Sequence, residues 1–345
     1  MRRHEPDFEN FLKVLQRRGR PEYLPFYEHT YHPGFIARRL GVPFDKIPFG
    51  SDEFWRHYVD FWVGLGFDCI PMEVPPRITL PQKDRGGALT VESEAFVCIR
   101  SMEDFETFPW PDDTNPVNFA HFETVTRFLP PGIKIVGGVC GGPYEWTTYL
   151  LGVMGLSIAS CEDPDLVEAV FSRLGRLYVS ANRQLASMDG VGALRQGDDL
   201  GFKSATFLPP DALREHVFPI YTKMVAEAHG KGKPFILHSC GNLEAVYEDI
   251  IACGVDAKHS FEDTILPVGE FKRIYGNRIT PLGGLDVDVI CRSDEPALRR
   301  YTRERVEQCF ADGYWALGSG NSLTDYMPVE NYLIVLDEGR KAAGA

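Results

Sequence analysis

The feature that most constrains this chain is a short apolar run ending in polar side chains, repeated eight times. The runs are Tyr23–His29, Phe67–Glu73, Lys134–Val139, Gly190–Gln196, Lys233–His238, Val255–His259, Ile279–Gly283 and Tyr314–Gly318. Each has the length of a buried strand. Helical periodicity fills the intervals at Asp52–Leu65, Asn118–Phe128, Asp163–Met188, Pro210–His229, Leu243–Ala252, Val268–Tyr275 and Glu295–Ala311. A leading helix within residues 5–20 carries Phe8, Phe11, Leu12 and Leu15 at helical spacing. Strands alternating with helices call for a parallel sheet, and eight such units predict an α/β fold closed into a (β/α)8 TIM barrel, a single domain over residues 1–345. The G-x-G-x-x-G fingerprint of a dinucleotide fold is absent. Residues 77–108 depart from the pattern. The stretches at Thr79 and at Ala95–Arg100, with Gly86-Gly87 between them, predict a β-hairpin insertion over the barrel mouth.

Bulk properties exclude several classes of function. With 345 residues and 44% hydrophobic composition, the chain builds a large core without difficulty. Its formal net charge is −13, and its 36 basic residues are scattered, so no nucleic-acid footprint is expected. No apolar run approaches the roughly 18 residues of a spanning helix, and the first residues lack the apolar core of a signal peptide. The sequence therefore reads as cytoplasmic, with no membrane partner. The eight cysteines are dispersed without a C-x-x-C pair, which predicts reduced thiols rather than a disulfide frame.

In barrel enzymes the chemistry sits at the C-terminal ends of the strands. Those ends bring Glu28-His29, Glu73, Cys140, Asp198-Asp199, His238, Cys240, His259, Glu262, Asp286 and Asn321 to one face. The strongest pair is His238-Ser-Cys240. Residues two apart on a strand face the same way, so an imidazole and a thiolate can supply two ligands to a soft metal. Zinc needs a third, and Glu262, His259, Glu73 and Cys140 are the candidates. One of Asp198 and Asp199 is expected to face the cavity while the other caps a turn. His259 either acts in the site or donates to a backbone carbonyl. Glu28 and His29 either bind substrate or pair with Arg38 and Arg39. Trp146, Tyr149, Phe207, Trp315 and Tyr326 are candidates for an apolar wall.

Three segments carry a family resemblance. Gly141-Gly-Pro-Tyr-Glu-Trp-Thr-Thr-Tyr149 resembles the G-x-P-x-T-x-x-x-Y region of uroporphyrinogen decarboxylases, and Phe235–Asn242 resembles the H-x-C-G-N segment of the related zinc methyltransferases that act on corrinoid proteins. Leu317–Asn331 is similar to the last barrel segment of the same superfamily. The resemblance implies a zinc-dependent methyltransferase that moves a methyl group between a small substrate, such as a methoxylated or methylamine compound, and a corrinoid (cobalamin) carried by a partner protein. It implies metal ligands His238, Cys240 and Glu262, catalytic Asp198, Tyr149 and His259, and substrate contacts at Glu28, His29, Glu73, Asp199 and Asn321. The sequence departs from the methyltransferase pattern in holding Asn321 where a second, distant cysteine is expected. It departs from the decarboxylase pattern at Arg17-Arg-Gly-Arg-Pro-Glu-Tyr23, which lacks the Gln-Ala and Arg-Tyr pairs of the arginine motif. Tetrapyrrole decarboxylation and a non-catalytic ligand-binding barrel stand as alternatives, and oligomeric state is left open.

Overall fold

The computed structural model describes residues 4–80 and 97–344. Six parallel strands follow one another around the sheet: β2 (Cys69–Val74), β3 (Lys134–Val139), β4 (Val191–Gly197), β5 (Phe235–His238), β6 (Ala257–His259) and β7 (Thr280–Leu282). The first and eighth apolar runs close the ring. Leu282 bridges to Ala316, and Phe26 bridges to Leu317. Further up, the same two segments pair again as β1 (Thr30–Tyr31) and β8 (Ser322–Leu323). Between the first and second runs the described contacts are between side chains, with the rings of Phe26 and Phe67 at 5.7 Å and His29 Nε2 at 3.6 Å from Glu73 Oε1.

Closure is plainest in the core. One interior cluster takes a single residue from every run: Tyr27, Cys69, Val136, Ala193, Ile236, Ala257, Leu282 and Ala316. An α-helix, α1 (Phe8–Gln16), covers its lower end by adding Phe8, Phe11 and Leu15 to that cluster. Its start is fixed by Asp7, which accepts from Glu9 N, and its end by a left-handed Arg17 whose N–H returns to Lys13 and Val14. The leading helix of the sequence is thus the barrel floor. Outside the ring, a larger apolar cluster joins the outward faces of the strands to the helices.

Several predicted helices are present with nearly the expected bounds, including Asp52–Leu65 and Val268–Tyr275. The segment expected as one helix over Pro210–His229 is interrupted. Pro219 has no N–H to give the preceding turn, and residues Leu213–Val217 open into a wider turn before Phe218–His229 continues. Helices at Pro143–Leu151 and Val329–Ala342 lie outside the helical segments read from sequence. The first is buried on nearly every side, and the second buries Glu338 and Arg340, so neither shows a simple apolar stripe. The expected hairpin turn at Gly86-Gly87 lies outside the described residues; its described flank carries a short helix, Met102–Thr107.

Phe11 is fully buried in the floor. Phe11→Ala is therefore expected to lower unfolding free energy by about 3–5 kcal/mol in urea denaturation. A loss below about 1 kcal/mol would show that the helix does not close the barrel.

Candidate functional site

Two residues beyond the apolar layer, side chains point inward again. That step reaches His29, Gly138, Arg195, His238, His259, Gly284 and Gly318, and a four-residue step from Cys69 reaches Glu73. A polar layer therefore rests on the apolar one. Glycines make room for its long members: a Cβ on Gly138 would lie 3.0 Å from Arg195 Cγ. Arg195 is 2% exposed, its Nε lies 3.3 Å from Glu73 Oε1, and its guanidinium donates to the carbonyl of His29. The two buried charges compensate each other.

The three histidines of this layer form one group. His29 stacks on His238 with ring centroids 3.7 Å apart, and His238 Nδ1 lies 2.7 Å from His259 Nδ1. Burial pushes all three well below the usual histidine range, His259 to about 3, so all are neutral at pH 7. His259 Nε2 lies 3.1 Å from the carbonyl of Ser319, which can only accept. His259 must then carry its proton on Nε2 and accept on Nδ1, so His238 donates from Nδ1. His238 Nε2 is left with a bare lone pair.

That lone pair faces Cys240 Sγ at 3.5 Å and Asp199 Oδ1 at 3.8 Å. Asp199, His238 and Cys240 bring one ligand atom each within 4.8 Å of one another, an N, S, O donor set suited to zinc. Asp199 also accepts from Cys240 N at 2.9 Å, and the sulfur accepts from Ser260 Oγ and Asn321 Nδ2, each at 3.3 Å. Burial, then the Asp199 charge, pushes the Cys240 thiol well up. A cation that replaces its proton would relieve that cost. His29, His238 and His259 also bring ligand atoms within 4.8 Å of one another, but Nδ1 of both His238 and His259 is taken up in the hydrogen bond between them.

A family model described as uroporphyrinogen decarboxylase (URO-D) matches residues 13–342. The chain belongs to the uroporphyrinogen decarboxylase family. Among curated proteins, the methylcobamide:CoM methyltransferase MtaA of Methanosarcina barkeri (strain Fusaro / DSM 804) is 24% identical over 172 residues. The match covers 49% of this chain and 48% of that protein, so the chain spans about half the length of this relative. A solved methyltransferase from Methanosarcina mazei superposes with a TM-score of 0.74 at 18% identity, covering 96% of this chain and 97% of the other. At that identity the likeness concerns the fold.

Within this uroporphyrinogen decarboxylase fold the other expected site residues divide by task. Asp198 turns away from the histidines and accepts from Tyr144 N, Glu145 N and Tyr221 Oη at 3.1, 2.9 and 2.8 Å, capping the helix Pro143–Leu151. Gly142 permits this, because a Cβ there would overlap the Asp198 carboxylate. Burial raises the Asp198 carboxyl to about 7, although those three donors pull it down. Glu28 is likewise committed, to Ser319 N, Ser319 Oγ and Tyr332 Oη at 2.6, 2.6 and 2.8 Å. Glu262, expected as the third ligand, is exposed and is not brought to the pair; Asp199 stands there instead. Asn321 donates to the sulfur and also lines a cavity of about 660 Å³. Tyr149 lies half-buried at the rim, its ring edge-on to Trp146 at 5.5 Å. Cys140 and Glu73 line a cavity of about 350 Å³ whose aromatic walls are Tyr31, Phe49, Trp55 and Tyr58. The expected wall residue Trp315 is instead fully buried core. Ser260, Arg195 and Lys258 were missed as site residues; for Arg195 and Lys258, charged residues inside the apolar runs Gly190–Gln196 and Val255–His259 were a visible signal, and for Ser260 there was none.

The proton order gives a direct check. His259→Phe removes the acceptor for His238 Nδ1–H; if the N, S, O set holds zinc, this variant is expected to bind it about 10–100-fold more weakly in chelator competition, while Glu262→Gln leaves binding unchanged. The opposite order would make Glu262 the ligand. Glu28 supplies a pH signature. Burial raises its carboxyl from 4.5 to about 7, so the native state holds its proton more tightly than the unfolded state. Its contribution is full below pH 4.5 and is lost as pH rises toward 7, by about 3 kcal/mol. Unfolding of wild type measured against Glu28→Gln should show this decline; a flat difference would mean that the three donors keep Glu28 ionised throughout.

Proposed function

We propose that the chain is a zinc-dependent methyltransferase, its metal held by His238, Cys240 and Asp199, moving a methyl group between a small methylated compound and a corrinoid on a partner protein. The observation that carries this reading is the meeting of the bare His238 Nε2, Cys240 Sγ and the Asp199 carboxylate at the barrel mouth. Three protein ligands leave a fourth position for substrate, as catalytic zinc sites do. Zinc bound there would act as a Lewis acid on the substrate heteroatom. A carboxylate in place of a second thiolate donates less charge to the metal, which favours an oxygen or nitrogen heteroatom over a thiol. The name of the M. barkeri relative supports the corrinoid side of the exchange.

The chain's own residues supply the setting. His259 fixes which nitrogen of His238 faces the donors, and Asp199 holds the Cys240 backbone in place. The aromatic cavity beside Glu73 and Cys140 has room for one ring and offers an apolar wall to the non-reacting part of the substrate. Decarboxylation loses support on two counts. Arg17, in the stretch compared with the decarboxylase arginines, donates at 3.0 Å to the Asp256 carbonyl, just before β6, at the floor and away from the mouth. Of the two acidic residues near the place where the decarboxylases carry a key aspartate after the second strand, Asp68 is at the floor, accepting from Asp7 N at 3.1 Å, and Glu73 is paired with Arg195 at 3.3 Å.

Protein purified without added metal should contain about one zinc per chain, and Cys240→Ala and Asp199→Ala should each lower that content while the barrel stays folded. Methyl transfer from 2-methoxyphenol or methylamine to cob(I)alamin, followed by methylcobalamin absorbance, should fall to background in Cys240→Ala. Full activity in that variant, or metal-free wild type that decarboxylates uroporphyrinogen, would overturn the reading.

A further inference from the structure

Two non-glycine residues among those described have left-handed backbones. Arg17 ends α1 and needs no further reason. Ser260, with φ 82°, ends no helix. A side chain in that conformation carries a steric cost that glycine avoids, and it persists where the surroundings impose it. Two contacts do so here. Lys258 is 1% exposed, and its amino group donates to the carbonyls of Ser239 at 3.4 Å, His259 at 3.3 Å and Ser260, with the Phe261 ring centroid 4.2 Å away. On the other side, Phe261 N donates to the Gly320 carbonyl at 2.9 Å. The turn so fixed places Ser260 Oγ 3.3 Å from Cys240 Sγ.

We propose that Lys258 and Ser260 are positioning residues for Cys240, the constrained turn aiming a hydroxyl at the sulfur so that Ser260 and Asn321 together stabilise a metal-bound thiolate. The inference rests on the metal site proposed above. A buried amino group is costly unless its donors are used. Here they join carbonyls beyond β5 to carbonyls at the end of β6, the two strand ends that carry His238, Cys240 and His259. Two hydrogen bonds onto one sulfur also draw charge from it. Asn321, where the resemblance places a second cysteine, therefore adds a donor to the existing sulfur. The site keeps one thiolate, moderated from two sides.

Cobalt(II) loaded in place of zinc reports the sulfur directly through its sulfur-to-metal charge-transfer band. Ser260→Ala is expected to keep one cobalt per chain, move that band to longer wavelength, and weaken zinc binding about tenfold or more, the worth of a hydrogen bond to a charged group. Ser260→Gly should show the same band shift while unfolding at higher urea than wild type, because the left-handed backbone is then free of strain. Ser260→Asn, which tolerates that backbone and carries a donor, should return the band toward wild type. Lys258→Met should weaken zinc binding as well; if it does not fold, the Ser260 variants decide. Unchanged band and affinity in both Ser260→Ala and Ser260→Gly would overturn the positioning role while leaving the metal site intact. Wild type that takes up neither cobalt nor zinc would overturn both proposals.

Discussion

The hydrogen bond between His259 Nε2 and the Ser319 carbonyl settles the protonation of everything above it. A carbonyl cannot donate, so the proton must lie on His259, and the choice passes through its Nδ1 to His238 and leaves Nε2 of His238 bare. The arrangement depends on Ser319 staying in place. Glu28 takes both the N–H and the hydroxyl of Ser319, and Tyr332 from the helix Val329–Ala342 bonds the same carboxylate. A residue of the outer helical ring thus helps determine which nitrogen faces the donors at the barrel centre. In a buried, low-dielectric setting such a chain holds one arrangement, since each reversed proton would strand a polar atom.

The layering explains why strand-end carboxylates differ so much in role. The apolar layer spends one inward position per strand on packing, and the next inward position falls where strands give way to loops. Carboxylates just past that point must find donors or face water. Glu28 and Asp198 find three donors each and become structural. Glu73 finds Arg195, and Asp199 finds the Cys240 backbone while keeping about a third of its side-chain surface exposed. The carboxylates left facing the cavity are therefore those that the scaffold has only partly engaged.

Much of this was legible in the sequence because the relevant rules are local. Eight apolar runs set the barrel, the two-residue period brings His238 and Cys240 to one side, and adjacent aspartates after β4 had to diverge, one to the cavity and one to a cap. Replacing Glu262 by Asp199 as the third donor was not legible, because it depends on register between strands. Gly197 pairs with His238, so two residues further on Asp199 stands opposite Cys240. His238 pairs with His259, but the chain then turns sharply at Ser260 and carries Glu262 away to the surface.

The sequence by itself therefore determined the α/β repeat, the closed barrel, the face that holds the chemistry and the H-x-C pair at its centre, since periodicity and strand length are properties of neighbouring residues. Only the tertiary structure decided which carboxylate joins that pair, which nitrogen of His238 is free, and that Ser260 and Asn321 meet on one sulfur. Those contacts join residues 20 to 81 positions apart in the chain. They are fixed by how the strands align and by where a buried lysine draws carbonyls together, and a linear pattern does not encode such alignments.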